Sequence, residues 1–216
     1  MTILTGSLPG GKRNSGVKMN KKYAENITAE EIKSLDLKWF DREIVVVDNL
    51  VTFNRVIRRL SGCHLFGFDT ETRPSFKKGR KNKVSLLQLA TDDLACLFRI
   101  NRIGIPDELA EILGNPDIIK AGVALHDDIR NLKHIKKFEP AGFVDLQGFV
   151  KDYGIVSSGL KKLTAIILGF RISKSQQVTD WEATELSEPQ QIYAATDAWV
   201  CHRIYSKLTG TIKIQG

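Results

Sequence analysis

The chain has 216 residues, 42% hydrophobic and 26% charged, which is enough to bury one sizeable core. No apolar run approaches the ~18–20 residues that span a membrane, and Met1–Leu4 runs straight into Gly, Pro and Lys, so neither a membrane partner nor a secretory leader is expected. Of the net charge of +7, Lys12, Arg13, Lys18, Lys21 and Lys22 supply five, so residues 23–216 carry only +2 and charge alone does not identify a polyanionic partner.

Cys63, Cys96 and Cys201 are odd in number, widely spaced and without a CxxC pair. They argue against a disulfide framework or zinc cluster and for a reducing compartment, read as the cytoplasm, or the nucleus if the source is eukaryotic. Residues 1–22, rich in Gly, Ser, Asn and Lys, read as a disordered basic leader, with Met19 an alternative natural start. The leader holds a decoy. Gly6 to Lys12 fits G-x-x-x-x-G-K, but Arg13 stands where Ser or Thr must reach magnesium, and neither the strand before nor the helix after is present.

From Thr28 the elements follow in order. Thr28 with Glu31 makes a capping box for a short helix, Ile44–Val47 reads as a strand, and Leu50–Leu60 as a helix stopped at Gly62. His64–Glu71 is the next strand. Val84–Ala90 and Leu94–Ile100 form a hairpin around Asp92 and Asp93, and a helix at Asp107–Leu113 stops at Gly114. Then come a strand near Ile118–Gly122, a helix from about Leu125, a short strand at Phe143–Asp145, and helices at Gln147–Tyr153 and Gly159–Leu168. The last helix runs from about Glu188 to Leu208, with Ser187 and Gln190 as its capping box and Pro189 in its first turn. This order predicts an α/β fold with a mixed central sheet flanked by helices, and a single domain over 23–216.

Three stretches carry candidate chemistry. In HLFGFDTET, His64–Thr72, alternation places Asp69 and Glu71 on one face of a strand that Leu65, Phe66 and Phe68 mark as buried. Two neighbouring carboxylates repel, and a hard divalent ion between them relieves the cost, although a lone D-x-E is more often a solvated strand end. In KAGVALHDDIRNL, Lys120–Leu132, Asp127 and Asp128 fall near a helix start, where the helix dipole alone accounts for an acid. They differ by about 100° around that helix, so only one faces a given site. In QQIYAATDAWVCHRIY, Tyr193 and Asp197 share a face of a helix that is apolar nearly all round. A buried aspartate there needs a partner, either a hydrogen-bond donor or a cation.

The order of these three motifs resembles the DEDDy-type 3′–5′ exonucleases of the DnaQ-like, ribonuclease H-like class, which includes ribonuclease D and the exonuclease domain of the Werner-syndrome helicase. VSLLQLA at Val84–Ala90 and KSQQVTDWEATELSEPQQIYAATDA at Lys174–Ala198 extend the resemblance to roughly residues 45–208. It implies a ribonuclease H-like fold and a metal-dependent exonuclease, with 23–216 as its one domain and nucleic acid with a free 3′ end as its partner. The implied catalytic residues are Asp69, Glu71, Asp128, Tyr193 and Asp197. The second-motif acid follows the Gly by six positions, which selects Asp128 over Asp127. Ile192 stands where the sister subgroup has His, which indicates the tyrosine type.

The four carboxylates are implied to hold two divalent ions, Mg2+ or Mn2+, about 4 Å apart, one generating hydroxide and the other supporting the departing 3′-oxygen. Asp69 would bridge, Glu71 and Asp197 would serve chiefly the first ion, and Asp128 the second. With an unperturbed pKa of ~10, Tyr193 suits orienting water better than acting as a base. Thr70, Thr72 and Lys174 are expected to touch substrate. Thr70 and Thr72 stand where some relatives have bulky apolar residues, so fraying of duplex ends is not expected. The chain ends soon after Leu208, without the helical modules that follow in ribonuclease D, which makes the Werner-type domain the closer likeness.

Lys77, Lys78, Arg80, Lys81 and Lys83 form a basic loop that suits a second strand's phosphates or a solvated hairpin equally. Trp181 reads as a packing residue. The expected activity is removal of nucleotides from 3′ ends of DNA. RNA 3′-end processing is the alternative, and an inactive nucleic-acid-binding module is disfavoured because all four acids are present.

Overall fold

In the computed structural model, which describes residues 22–73 and 83–210, six strands form one mixed sheet. In chain order they are β1 (Glu43–Val47), β2 (Leu65–Thr72), β3 (Val84–Ala90), β4 (Leu94–Phe98), β5 (Ile119–Gly122) and β6 (Phe143–Asp145). The spatial order is β1-β4-β3-β2-β5-β6. Strands β2, β3 and β4 are antiparallel neighbours, β1 lies parallel to β4, and β5 and β6 continue the sheet parallel to β2. The predicted mixed α/β architecture is therefore the one observed.

The helices are α1 (Ala29–Ser34), α2 (Leu50–Leu60), α3 (Ile100–Ile103), α4 (Asp107–Gly114), α5 (Leu125–Lys133), α6 (Leu146–Phe149), α7 (Leu160–Leu163) and α8 (Glu188–Thr209). None of the described helices is long and apolar enough to cross a membrane. Both predicted capping boxes form, Thr28 with Glu31 on α1 and Ser187 with Gln190 on α8. Three predicted elements break up. The second hairpin strand ends at Phe98, because Arg99 donates its N–H to Val47 and the chain turns into α3. The helix predicted over Gln147–Tyr153 is α6 followed by a 3-10 turn ending at Gly154 (φ 77°). The helix predicted over Gly159–Leu168 is α7 followed by a π-helical turn, Thr164–Leu168. There the Thr164 hydroxyl donates to the Leu160 carbonyl at 2.8 Å, a side-chain bond that competes with the helical ladder.

Strand alternation sorts the core. Phe66 and Phe68 of β2 join Leu87, Leu89 and Phe98 on the face covered by α2, α4 and α5. Leu86, Ala90, Ala95 and Leu97 face α8, against Tyr193, Ala194, Ala195 and Ala198. Small residues on α8 allow close approach, and the limiting contact is at Gly67. A Cβ added there would lie 1.8 Å from the Ala198 carbonyl oxygen. An isolated glycine inside a strand marks such a backbone approach, and here it sets α8 directly over β2.

Residues 1–21 of the leader and most of the basic loop, including Lys77, Lys78, Arg80 and Lys81, lie outside the described residues, as does the decoy Gly6–Lys12.

Candidate active site

Gly67, Asp69 and Glu71 point to the same face of β2, so the contact that seats α8 on Gly67 also carries Asp197 to the carboxylates. Oxygens of Asp69, Glu71 and Asp197 lie within 4.8 Å of one another. Oxygens on one magnesium ion, bound at about 2.1 Å, stand up to about 4.2 Å apart, so a small contraction closes the set. Asp197 is 8% exposed, and its Oδ1 is buried without a hydrogen-bond partner among the described residues. An acceptor-only oxygen left unpaired beside two further carboxylates fits a hard cation.

Asp128 stands apart from this trio, but its charge acts on Asp69 and Glu71. Thr70 points away from α8, and its hydroxyl donates to Asp128 Oδ1 at 2.7 Å. Asp127 pairs with Arg130, N–O 2.8 Å. A register shift between Glu71 and Thr72 breaks the β2–β3 ladder beside the site, and Thr72 is half-buried beyond it.

The start of α5 is built by non-local contacts. Asp145, the last residue of β6, accepts from the backbone N–H groups of Ala124 and Leu125, both at 3.2 Å, and of Gln147 at 2.9 Å. One carboxylate thus anchors α5 and α6 together. Ala124 has φ 60°, the only positive value outside glycine among the described residues. Gly122 lets the chain turn there, since a Cβ would lie 2.7 Å from the Phe68 carbonyl oxygen. Backbone held in the left-handed region by surrounding contacts is characteristic of functional sites.

The electrostatics reflect buried acids close to one another, with Lys174 the cation whose charge acts on Asp197. Burial, then the charges of Asp197 and Asp128, hold the Asp69 carboxyl well above the usual range. Burial and the same neighbours, with Asp69 first, push Glu71 up to about 10. Asp197 is pushed up to about 7 by burial, against the opposing pull of Tyr193 and of the Lys174 charge. Burial raises Asp128 to about 6, with the Thr70 hydrogen bond opposing. The Tyr193 phenol rises above its usual value through burial and the charges of Asp197 and Glu71, so it remains a donor. Trp181 is fully buried and packs on Tyr193, ring centroids 6.0 Å apart, which makes it the packing residue expected.

Sequence reasoning had no role for four supporting residues. Gly67 and Asp145 are two of them. Gln88 pairs with Asp69 in the β2–β3 register and is fully buried, with both amide atoms unpartnered among the described residues. Arg99, 1% exposed, donates to the Ala183 and Thr184 carbonyls and pins the segment leading into α8. The glycine within the strand pattern was a readable signal for Gly67; the other three depend on pairing across the fold.

A family model described as a 3′-5′ exonuclease matches residues 44–213. The mouse bifunctional 3′-5′ exonuclease/ATP-dependent helicase WRN is 33% identical over 162 residues, covering 69% of this chain and 11% of that protein. The chain spans about half or less of the length of other curated relatives of comparable similarity. Among solved structures, the Nibbler EXO domain of Aedes aegypti superposes with a TM-score of 0.71 at 23% identity, covering 81% of this chain and 94% of that one. Trypanosoma brucei RNase D in complex with RNA U12 does so with a TM-score of 0.69 at 19% identity, covering 82% and 65%. With its three acid motifs inside the matched region, the chain belongs to the 3′–5′ exonuclease family.

Proposed function

We propose that this enzyme removes nucleotides from 3′ ends of DNA by metal-dependent phosphodiester hydrolysis, with Asp69, Glu71, Asp128, Tyr193 and Asp197 as its catalytic residues. The observation that carries the reading is the trio of carboxylates within 4.8 Å, one of them with a buried oxygen that has no hydrogen-bond partner among the described residues. Asp69, Glu71 and Asp197 would hold one divalent ion, Mg2+ or Mn2+, and Asp128 with Asp69 a second. Such a pair, when bound, activates water and offsets the charge that gathers on the attacking and leaving oxygens.

The protein's own groups do the remaining work. Thr70 holds Asp128 ionisable and oriented through its 2.7 Å hydrogen bond. Tyr193, whose phenol keeps its proton and hydrogen-bonds Asp197, stands beside the metal ligands to orient the attacking water. Lys174, close enough to lower the Asp197 pKa, contributes positive charge where an anionic phosphodiester approaches. Thr72 at the end of β2 is the remaining candidate contact to substrate.

The DNA reading is supported by the WRN likeness, the RNA reading by a solved relative that holds RNA U12. End-labelled single-stranded DNA, recessed duplex and RNA of one sequence, each incubated with magnesium, manganese or EDTA, separate them. Stepwise loss from the 3′ end of DNA, abolished by EDTA, is expected. Preference for RNA would transfer the same chemistry to 3′-end processing, and metal-independent cleavage would end the proposal.

A further inference from the structure

Beyond the carboxylates, a concave surface of about 610 Å3 opens between α1 and α7, a volume in the range of ligand-binding clefts. Of the twelve described residues that line it, five are cationic and none acidic: Lys33 of α1, Lys161 and Lys162 of α7, and Arg171 and Lys174 from the segment before α8. Residues 23–216 as a whole carry only +2, so this clustering is local rather than a general basicity.

The cleft is a built feature. Arg171 donates its backbone N–H to the Asp36 carbonyl and its Nε to the Leu35 carbonyl at 3.0 Å, while Lys38 N–H donates to the Arg171 carbonyl. These bonds lock the chain after α1 to the floor of the cleft. Lys174 is the link to the reaction, since it lines the cleft and its charge also acts on Asp197.

We propose that this cleft is a track for the sugar–phosphate backbone of the strand being degraded, holding phosphates upstream of the 3′ end with Lys33, Lys161, Lys162 and Arg171. The inference rests on the exonuclease reading and adds where the rest of the strand lies. Backbone contacts position a strand without reading its bases, so the track serves any sequence. Lysine charges without acidic competitors at the wall release counterions when phosphates displace them.

The test separates the track from the chemistry. Binding of a labelled 12-nucleotide DNA strand, and of RNA of the same sequence, is followed by fluorescence anisotropy in EDTA across a salt series. The full chain is compared with the triple variant Lys33→Ala, Lys161→Ala, Lys162→Ala and with the corresponding triple arginine variant. Single-strand binding loses a slope of about 0.7 in log affinity against log salt per contact, so three lost contacts remove about 2. Between 50 and 200 mM salt the alanine variant would then lose roughly 15- to 20-fold less affinity than the parent. In magnesium, the alanine variant's KM for the strand rises while kcat is kept, and the arginine variant restores both slope and KM.

Reduced slope on DNA, on RNA or on both supports the track and tells which strand occupies it. An unchanged slope on both strands, or a slope lost equally in the arginine variant, overturns it. If the parent cleaves no strand but the slope still falls, the exonuclease reading fails and the track stands. If it cleaves with an unchanged slope, the reverse holds.

Discussion

Thr70 and Asp128 belong to different layers of the fold, yet the Thr70 hydroxyl donates to Asp128 Oδ1 at 2.7 Å. Successive residues of β2 therefore serve the two sides of one site. Asp69 and Glu71 reach α8, while the threonine between them holds the acid of α5. Thr70→Val removes a bond that opposes the upward shift of Asp128, so that pKa moves above its present value of about 6. Loss of an outer-shell partner of this kind costs about 10- to 100-fold in metal affinity or activity. The expected deficit is larger at pH 6 than at pH 8, and Thr70→Ser restores the parent profile. A pH-independent deficit in kcat would show that Thr70 acts by some other route.

Gly67 is the point at which backbone geometry controls the site. Gly67→Ala places a methyl 1.8 Å from the Ala198 carbonyl oxygen, so α8 must shift outward. Overpacking of this kind costs about 1–3 kcal/mol, read as a lower denaturation midpoint in urea. Because Asp197 lies one residue before the contact, activity is expected to fall further than the stability loss alone accounts for. Full activity in a folded Gly67→Ala protein would mean that α8 does not set the carboxylate spacing.

Much of this site was legible in the sequence because its signals are local. Alternation put Asp69 and Glu71 together, a four-residue helical spacing put Tyr193 beside Asp197, and capping residues placed the start of α8. What escaped depends on contacts between distant segments. Asp145 reads as the end of a short strand, and only the fold shows it holding the first turn of α5, 20 and 21 residues away. The break into a π-helical turn at Thr164 is set by a hydroxyl choosing the Leu160 carbonyl, which composition does not reveal. The cationic cleft likewise gathers α1, α7 and Arg171 from segments with ordinary charge.

The carboxylates also make a pH signature. Asp197 rises from 3.8 to about 7 in the folded protein, so between those values the unfolded chain has already lost a proton that the native state keeps. Stability is then fully present below pH 3.8 and falls as pH rises toward 7. Without metal, the Tm of the parent is expected to decline over this window relative to Asp197→Asn. Magnesium binds the deprotonated form and reverses the decline. Parallel Tm profiles for the two proteins would remove the shift from the account.

If Asp69, Glu71 and Asp197 together bind a catalytic cation, Asp197→Ala removes both the cation and the reaction. Manganese uptake by titration calorimetry and nucleotide release from a 3′-labelled strand are measured on parent and variant at saturating metal. The parent is expected to take up manganese and to stop releasing nucleotide in EDTA. The variant should lose at least about 100-fold in release, beyond what outer-shell partners supply. An Asp197→Ala protein that binds manganese like the parent and is fully active at saturating magnesium would mean that these three carboxylates do not hold the catalytic cation.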